Sequence, residues 1–150
     1  MPLQKDLREF IESLNSHRVE YLIVGAFALA FHGVPRSTGD IDILVRSSPE
    51  NSARIEQVLM EFSFASLGLS AADFIEPDQI IQLGHPPNRI DLLTSITGVS
   101  FGEAWAGHAS ADLYGIPVCV IWRETLIRNK RATGRTQDRA DLEALGAELN

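Results

Sequence analysis

The chain has 150 residues, 45% of them apolar and 22% charged, with a formal net charge of −7. That length and balance predict one ordinary domain spanning 1–150 with a single core, and the acidic surplus argues against broad nucleic-acid binding through net charge, leaving room for a local basic patch. The lone cysteine, Cys119, excludes an internal disulfide framework, and without a leader-like segment or an apolar run of membrane-span length a cytoplasmic protein with no membrane partner is expected.

Leu3, Leu7, Phe10, Ile11 and Leu14 recur at helical spacing and predict an amphipathic helix ending near Asn15-Ser16. Residues 21–24 read as a short apolar strand leading to a Gly25 turn. Residues 27–31 read as a short apolar helix stopped by Gly33 and Pro35, after which a polar loop, Arg36-Ser37-Thr38-Gly39, delivers an acidic strand. Ser48 and Pro49 open a further helix whose buried face is Ile55, Val58, Leu59 and Phe62. Ser70-Ala-Ala-Asp73 offers another helix start. Residues 79–83 and 89–94 flank Pro86-Pro87-Asn88 as a β-hairpin, and Ser100-Phe-Gly-Glu103 starts one more helix. Two strands, 111–113 and 116–121, precede a pair of helices broken at Gly134. Cys119 falls in the second of these strands and reads as a structural apolar thiol.

The chemistry concentrates where Val24-Gly25-Ala26 is followed, with fourteen residues between Gly25 and Asp40, by Asp40-Ile41-Asp42 among apolar neighbours. A Gly-small turn leaving a strand opens a helix whose N-terminal N–H groups can face phosphate oxygens. In the next strand a period of two places both carboxylates on one face, with Ile41 and Ile43 on the other. Neighbouring carboxylates repel unless a cation lies between them, and hard oxygen donors of this kind suit Mg²⁺ rather than zinc. Asp91, in Arg89-Ile90-Asp91-Leu92-Leu93, is a third acid on a short apolar strand. On its own it reads equally well as the solvated face of an antiparallel strand. Three acids on adjacent strands could hold two ions roughly 3.5–4 Å apart, the arrangement that stabilises attacking and leaving oxygens at phosphorus.

The stretch 21–45, YLIVGAFALAFHGVPRSTGDIDILV, resembles the signature of the polymerase β-type nucleotidyltransferase superfamily, and within it the small bacterial and archaeal members. That signature is an apolar residue, Gly, then Gly or Ser, a spacer of about ten residues and an acid-apolar-acid strand, with a third acid on a later strand. Ala26 departs from it: the hydroxyl expected there is missing, although the small side chain still admits a close backbone approach. The resemblance implies an α/β (α+β) nucleotidyltransferase fold, a mixed sheet flanked by helices. It implies two Mg²⁺ ions held by Asp40, Asp42 and Asp91, and a nucleoside triphosphate donor contacted by Gly25 and Ala26. It leaves the acceptor open among a small molecule, an RNA end and a protein, with Asp91 the nearest base for the acceptor hydroxyl.

The stretch 126–143, LIRNKRATGRTQDRADLE, resembles the tail of toxin- and abortive-infection-type nucleotidyltransferases, where a Lys and a downstream Asp complete the site. This places Lys130 against donor phosphates and Arg135 as a second cation able to grip an oxyanion. Asp138 or Asp141 then orients Lys130 or the acceptor; three residues apart on a helix, they share a face. The same residues also read as the polar face of a terminal helix pair. Six of the thirteen basic residues lie between Arg123 and Arg139 of an acidic chain, which favours an anionic partner.

Arg36 is placed to reach a triphosphate or the acceptor, and Ser37 and Thr38 to meet phosphate oxygens, with a solvated loop as the other reading. His32 reads as a helix-end histidine, His85 and His108 lack metal-ligand spacing, and Trp105 and Trp122 read as core, with stacking on a base as the other reading. The alternative to a transferase is an inactive nucleotide-binding or antitoxin-like module acting through a protein partner, or pairing with itself.

Overall fold

The computed structural model describes residues 5–35, 40–62, 68–84 and 89–147. Helix α1 (Lys5–Ser16) buries Phe10, Ile11 and Leu14 and leads into β1 (Tyr21–Val24), which is buried at every position. Such a strand, apolar on both faces, belongs in the middle of a sheet covered on both sides. Helix α2 (Gly25–Phe31) follows without a loop and precedes β2 (Ile41–Val45). It begins two residues before the predicted start, because Gly25 itself makes the turn out of β1.

Helix α3 (Pro49–Met60) is capped by the Ser48 hydroxyl, which accepts from the Asn51 N–H at 3.2 Å, and it buries Ile55, Val58 and Leu59. Asn51, only 1% exposed, ties this helix to the sheet: its Oδ1 accepts from the Glu20 N–H, and its Nδ2 donates to the carbonyls of Glu20 and Arg46. The expected helix start at Ser70 is a single 3-10 turn (Ala71–Phe74) that buries Phe74. Strands β3 (Ile80–Leu83) and β4 (Ile90–Leu93) form the predicted antiparallel hairpin. Helix α4 (Phe101–Ala106) opens with a reciprocal Ser100–Glu103 capping box, then β5 (Ala109–Leu113) and β6 (Ile116–Val120) pair antiparallel. Helices α5 (Arg123–Thr133) and α6 (Thr136–Ala144) are separated at Gly134, whose φ of +63° ends α5 in the left-handed conformation.

The six strands form one mixed sheet in the order β3-β4-β2-β1-β6-β5. The β1–β2 pair is antiparallel, while β1–β6 and β2–β4 are parallel. The parallel pairs are the consequential ones. They carry β1, β2, β4 and β6 so that the C-terminal end of β1, the N-terminal ends of β2 and β4, and the exits into α2 and α5 share one region. Apolar side chains of the central strands and of α1, α2, α3 and α5 make a continuous core. Among the described residues no helix is long and apolar enough to cross a membrane.

Trp122 departs from its predicted place. It is 45% exposed at the N-cap of α5, where the chain leaves the sheet, and it meets His32 edge-on at 5.5 Å. Trp105 is partly buried against the core and stacks on His108 at 4.3 Å. His32 sits at the C-cap of α2, its Nε2 2.8 Å from the Ile121 carbonyl oxygen. Cys119 is half-buried, and burial pushes its thiol pKa up, as suits an apolar thiol.

Candidate functional site

The acid face is built by strand register. Asp42 of β2 lies directly across the parallel ladder from Asp91 of β4, and Val24, the residue before Gly25, lies across the antiparallel ladder from Asp42. Asp40 immediately precedes β2 and, by the period of two, joins Asp42 on the same face. The three expected acids therefore share one face of the β2–β4 pair. Asp91 is buried, at 7% exposure, and Asp40 and Asp42 are half-buried.

Gly25 lies against this face. A Cβ at that position would run into the Asp42 carboxylate, and its φ of +67° is a second reason for glycine. The turn without a Cβ thus lets the Asp42 carboxylate pack against the Gly25 backbone, where any larger residue would collide with it. Asp42 itself is strained electrostatically. Burial, then the Asp91 carboxylate beside it, then Asp40 push its pKa from 3.8 up to about 6, with Arg89 opposing. A carboxyl held at that value and hydrogen-bonded to a neighbouring carboxylate is a pair without enough positive charge.

Arg89 is the residue that sequence reading passed over. Its Nε donates to Asp91 Oδ1 at 2.8 Å, and its Nη2 lies 3.1 Å from both Asp91 Oδ2 and Asp40 Oδ2. The signal was present, since a residue two before Asp91 must share its face, but the motif drew attention to the acid alone. Among the described residues no three acids or histidines are grouped around a ready-made ion position. The guanidinium instead fills the gap between Asp40 and Asp91. It also occupies both oxygens of Asp91, the group expected to act as base.

The basic tail forms a second charged cluster. Lys130 is 7% exposed, with Nζ 2.9 Å from Asp141 Oδ2 and 3.4 Å from Asp138 Oδ1. Both aspartates are fully buried, so the alternatives of the sequence merge: each holds Lys130. Arg135 forks onto Asp138, Nε at 2.8 Å and Nη2 at 3.1 Å, while its own N–H and the Thr133 hydroxyl also donate to that carboxylate. Burial alone would raise the Asp138 pKa, but these donors outweigh it and hold the carboxyl well below the ordinary range. Gln137 Nε2 donates to Asp141 Oδ1 at 3.1 Å. Arg135 therefore spends its bidentate grip on Asp138, though its side chain remains 70% exposed.

A cleft of about 530 Å³ joins the two clusters. Gly25 and Asp42 line one side, Lys130, Thr133 and Arg135 the other, and Ile80, Leu93 and Ile96 give an apolar wall. Ala26 follows Gly25 in the first turn of α2. Arg36 and Ser37, with Thr38 and His85, lie outside the described residues.

The same fold is found in solved structures of nucleotidyltransferases. A nucleotidyltransferase candidate of Thermotoga maritima superposes with a TM-score of 0.65 at 18% identity, over 93% of this chain and 89% of its own. The lincosamide antibiotic adenylyltransferase LnuA, in its lincomycin-bound structure, matches over 99% of both chains with a TM-score of 0.57 and 12% identity. An antigenic nucleotidyltransferase-like protein of Paracoccidioides brasiliensis is similar over 97% of this chain and 76% of that one, with a TM-score of 0.50 and 15% identity. No protein-family model matches the sequence, and no curated protein matches it. The likeness is one of fold, and it bears out the mixed, helix-flanked sheet expected from the signature.

Proposed function

We propose that the chain is a Mg²⁺-dependent nucleotidyltransferase that moves a nucleoside monophosphate from a nucleoside triphosphate to an acceptor hydroxyl and releases pyrophosphate. The observation that carries this reading is the Asp42–Asp91 pair facing the Gly25 turn, an all-oxygen donor set short of positive charge at the wall of the cleft. Such donors fit a hard divalent cation. Asp40, Asp42 and Asp91 would hold the metal, which when bound withdraws charge from the donor phosphates and acidifies the acceptor hydroxyl.

The chain's own groups supply the rest. Gly25 and Ala26 let the backbone approach the triphosphate, with the Ala26 side chain adding no hydrogen bond. Lys130, fixed by Asp138 and Asp141, presents a positive charge at the cleft, and Arg135 stands beside it at the more exposed rim. Arg36 and Ser37 complete the proposed nucleotide contacts. In the reaction the acceptor oxygen bonds to the α-phosphorus as the bond to the bridging oxygen breaks. The acceptor proton passes to Asp91 and the electron pair leaves with pyrophosphate.

Of the three acceptor classes we favour a small molecule. The cleft volume lies in the range of small-ligand sites, roughly 300–1,000 Å³, and the fold likeness to an antibiotic adenylyltransferase extends over both chains. A cytoplasmic, single-domain protein is part of the same proposal. A second reading, an inactive nucleotide-binding or toxin–antitoxin module working through a protein partner or a second copy, is favoured by Ala26 and by the Arg89 clamp on two of the acids. Pyrophosphate release from each ribonucleoside triphosphate with Mg²⁺, assayed with a panel of small hydroxyl-bearing acceptors, separates the two. Transfer predicts release by the wild type and at least ~10²-fold less by Asp42→Asn, the scale of a lost electrostatic contact at the reacting centre. Full release by Asp42→Asn overturns the assignment.

A further inference from the structure

Four charged side chains make a small array on one face of two neighbouring parallel strands. The Asp42–Asp91 pair is one row. The other is set by backbone pairing, because the Ile41 N–H donates to the Arg89 carbonyl at 3.1 Å and brings Arg89 opposite the start of β2, where Asp40 lies. Asp40 and Asp42 share a face by the period of two, and so do Arg89 and Asp91. One row is thus an acid pair and the other an acid–guanidinium pair. The guanidinium reaches across both, taking both oxygens of Asp91 and Oδ2 of Asp40. Three negative charges less one leave −2, which one divalent ion cancels.

Resting on the nucleotidyltransferase reading, we propose that Arg89 is the resident counter-cation of the acid site: it competes with divalent ions for Asp40 and Asp91 and gives them up when a triphosphate offers it another anion. Without nucleotide, a first ion enters at Asp42, the acid of the three that lines the cleft. The second position stays closed by the guanidinium. Arg89 can leave without unpacking the core, since its side chain is 27% exposed, and a planar fork that binds carboxylate also binds phosphate bidentately. Entry of the second ion is thereby coupled to donor binding, and both Asp91 oxygens are freed only in the loaded site. Arg89 is a positioning residue in this scheme. It sets when the acids become available.

Titration with Mn²⁺, following the free ion by electron paramagnetic resonance, tests this on wild type, Arg89→Gln, Arg89→Lys and Asp42→Asn. Wild type is expected to bind one ion without nucleotide and two with a non-hydrolysable triphosphate. Arg89→Gln is expected to bind two ions without nucleotide, at least about tenfold more tightly, because a nearby positive charge has gone. Arg89→Lys, which keeps the charge and loses the fork, falls between them and carries the test if the Gln variant fails to fold. Equal Mn²⁺ stoichiometry and affinity in wild type and both Arg89 variants overturns the role of Arg89. If that equality accompanies binding that Asp42→Asn loses, the metal site stands and only this inference falls. If no form binds Mn²⁺, both fall together.

Discussion

Two charged clusters face each other across the cleft, and they handle charge in opposite ways. At the α5–α6 junction, Lys130 sits between two fully buried carboxylates, and Asp138 collects donors from Arg135 and Thr133 until its pKa lies far below the usual range. On the β2–β4 face, Asp42 and Asp91 are adjacent, and Asp42 is pushed up to about 6. The first cluster is complete within the chain. The second is left short of positive charge at the wall of the cleft, where a glycine makes room for the Asp42 carboxylate. An ion network that satisfies itself supports structure and presents its cation, whereas one left unbalanced is a site for something the chain does not supply.

Removing Lys130 should give the largest effect on stability. Lys130→Ala strands Asp138 and Asp141 in the interior, and breaking a buried pair of this kind costs about 3–5 kcal/mol. Urea denaturation checks it, and a loss below about 1 kcal/mol would mean that water reaches the cluster. Gly25→Ala comes next. The left-handed conformation alone costs about 1–2 kcal/mol for a non-glycine residue, and the new Cβ also meets the Asp42 carboxylate, so lowered stability should accompany weakened divalent-ion binding. A variant that is destabilised yet binds Mn²⁺ normally would separate the turn from the site.

Asp42→Asn should move stability the other way. Relieving like-charge repulsion is expected to raise the melting temperature of the metal-free protein by about 2–4 °C, equivalent to roughly 1 kcal/mol for a chain of this size. Because the native carboxyl holds its proton to higher pH than the unfolded one, its contribution is present below 3.8 and is lost as pH rises through about 6. The advantage of Asp42→Asn should therefore grow across that window. Asp138 has the opposite sign. Its depressed pKa contributes stability above the ordinary value of 3.8, lost as pH falls below it, so Asp138→Asn should flatten the acid limb of the melting curve. The effect of Arg135→Ala should be small, about 1 kcal/mol and diminished by salt, because only an exposed guanidinium is lost while the buried Asp138 keeps Lys130, the Thr133 hydroxyl and a backbone N–H.

The difference between the clusters also marks what could be read from residues alone. Strand period placed Asp40 and Asp42 on one face, capping signals at Ser48 and Ser100 set helix starts, and Gly134 divided the last two helices. These are local features with local causes. Strand order was not legible, since the pairing of β4 with β2 joins segments nearly fifty residues apart, and it is this pairing that puts Asp91 beside Asp42. Arg89 was missed because its role depends on the same register. Whether Asp138 or Asp141 held Lys130 could not be decided from their shared helix face, and the geometry shows that both do. Trp122 was assigned to the core on size, but a residue at a strand-to-helix exit has little to pack under.

The central claim is that the unbalanced acid face takes a metal-bound triphosphate. Its most direct test is the melting temperature of wild type and Asp42→Asn with each of the four ribonucleoside triphosphates, with and without Mg²⁺. The account predicts a magnesium-dependent rise with at least one nucleotide in wild type and none in Asp42→Asn. An equal rise in both proteins, or no rise in wild type with any nucleotide, would contradict it.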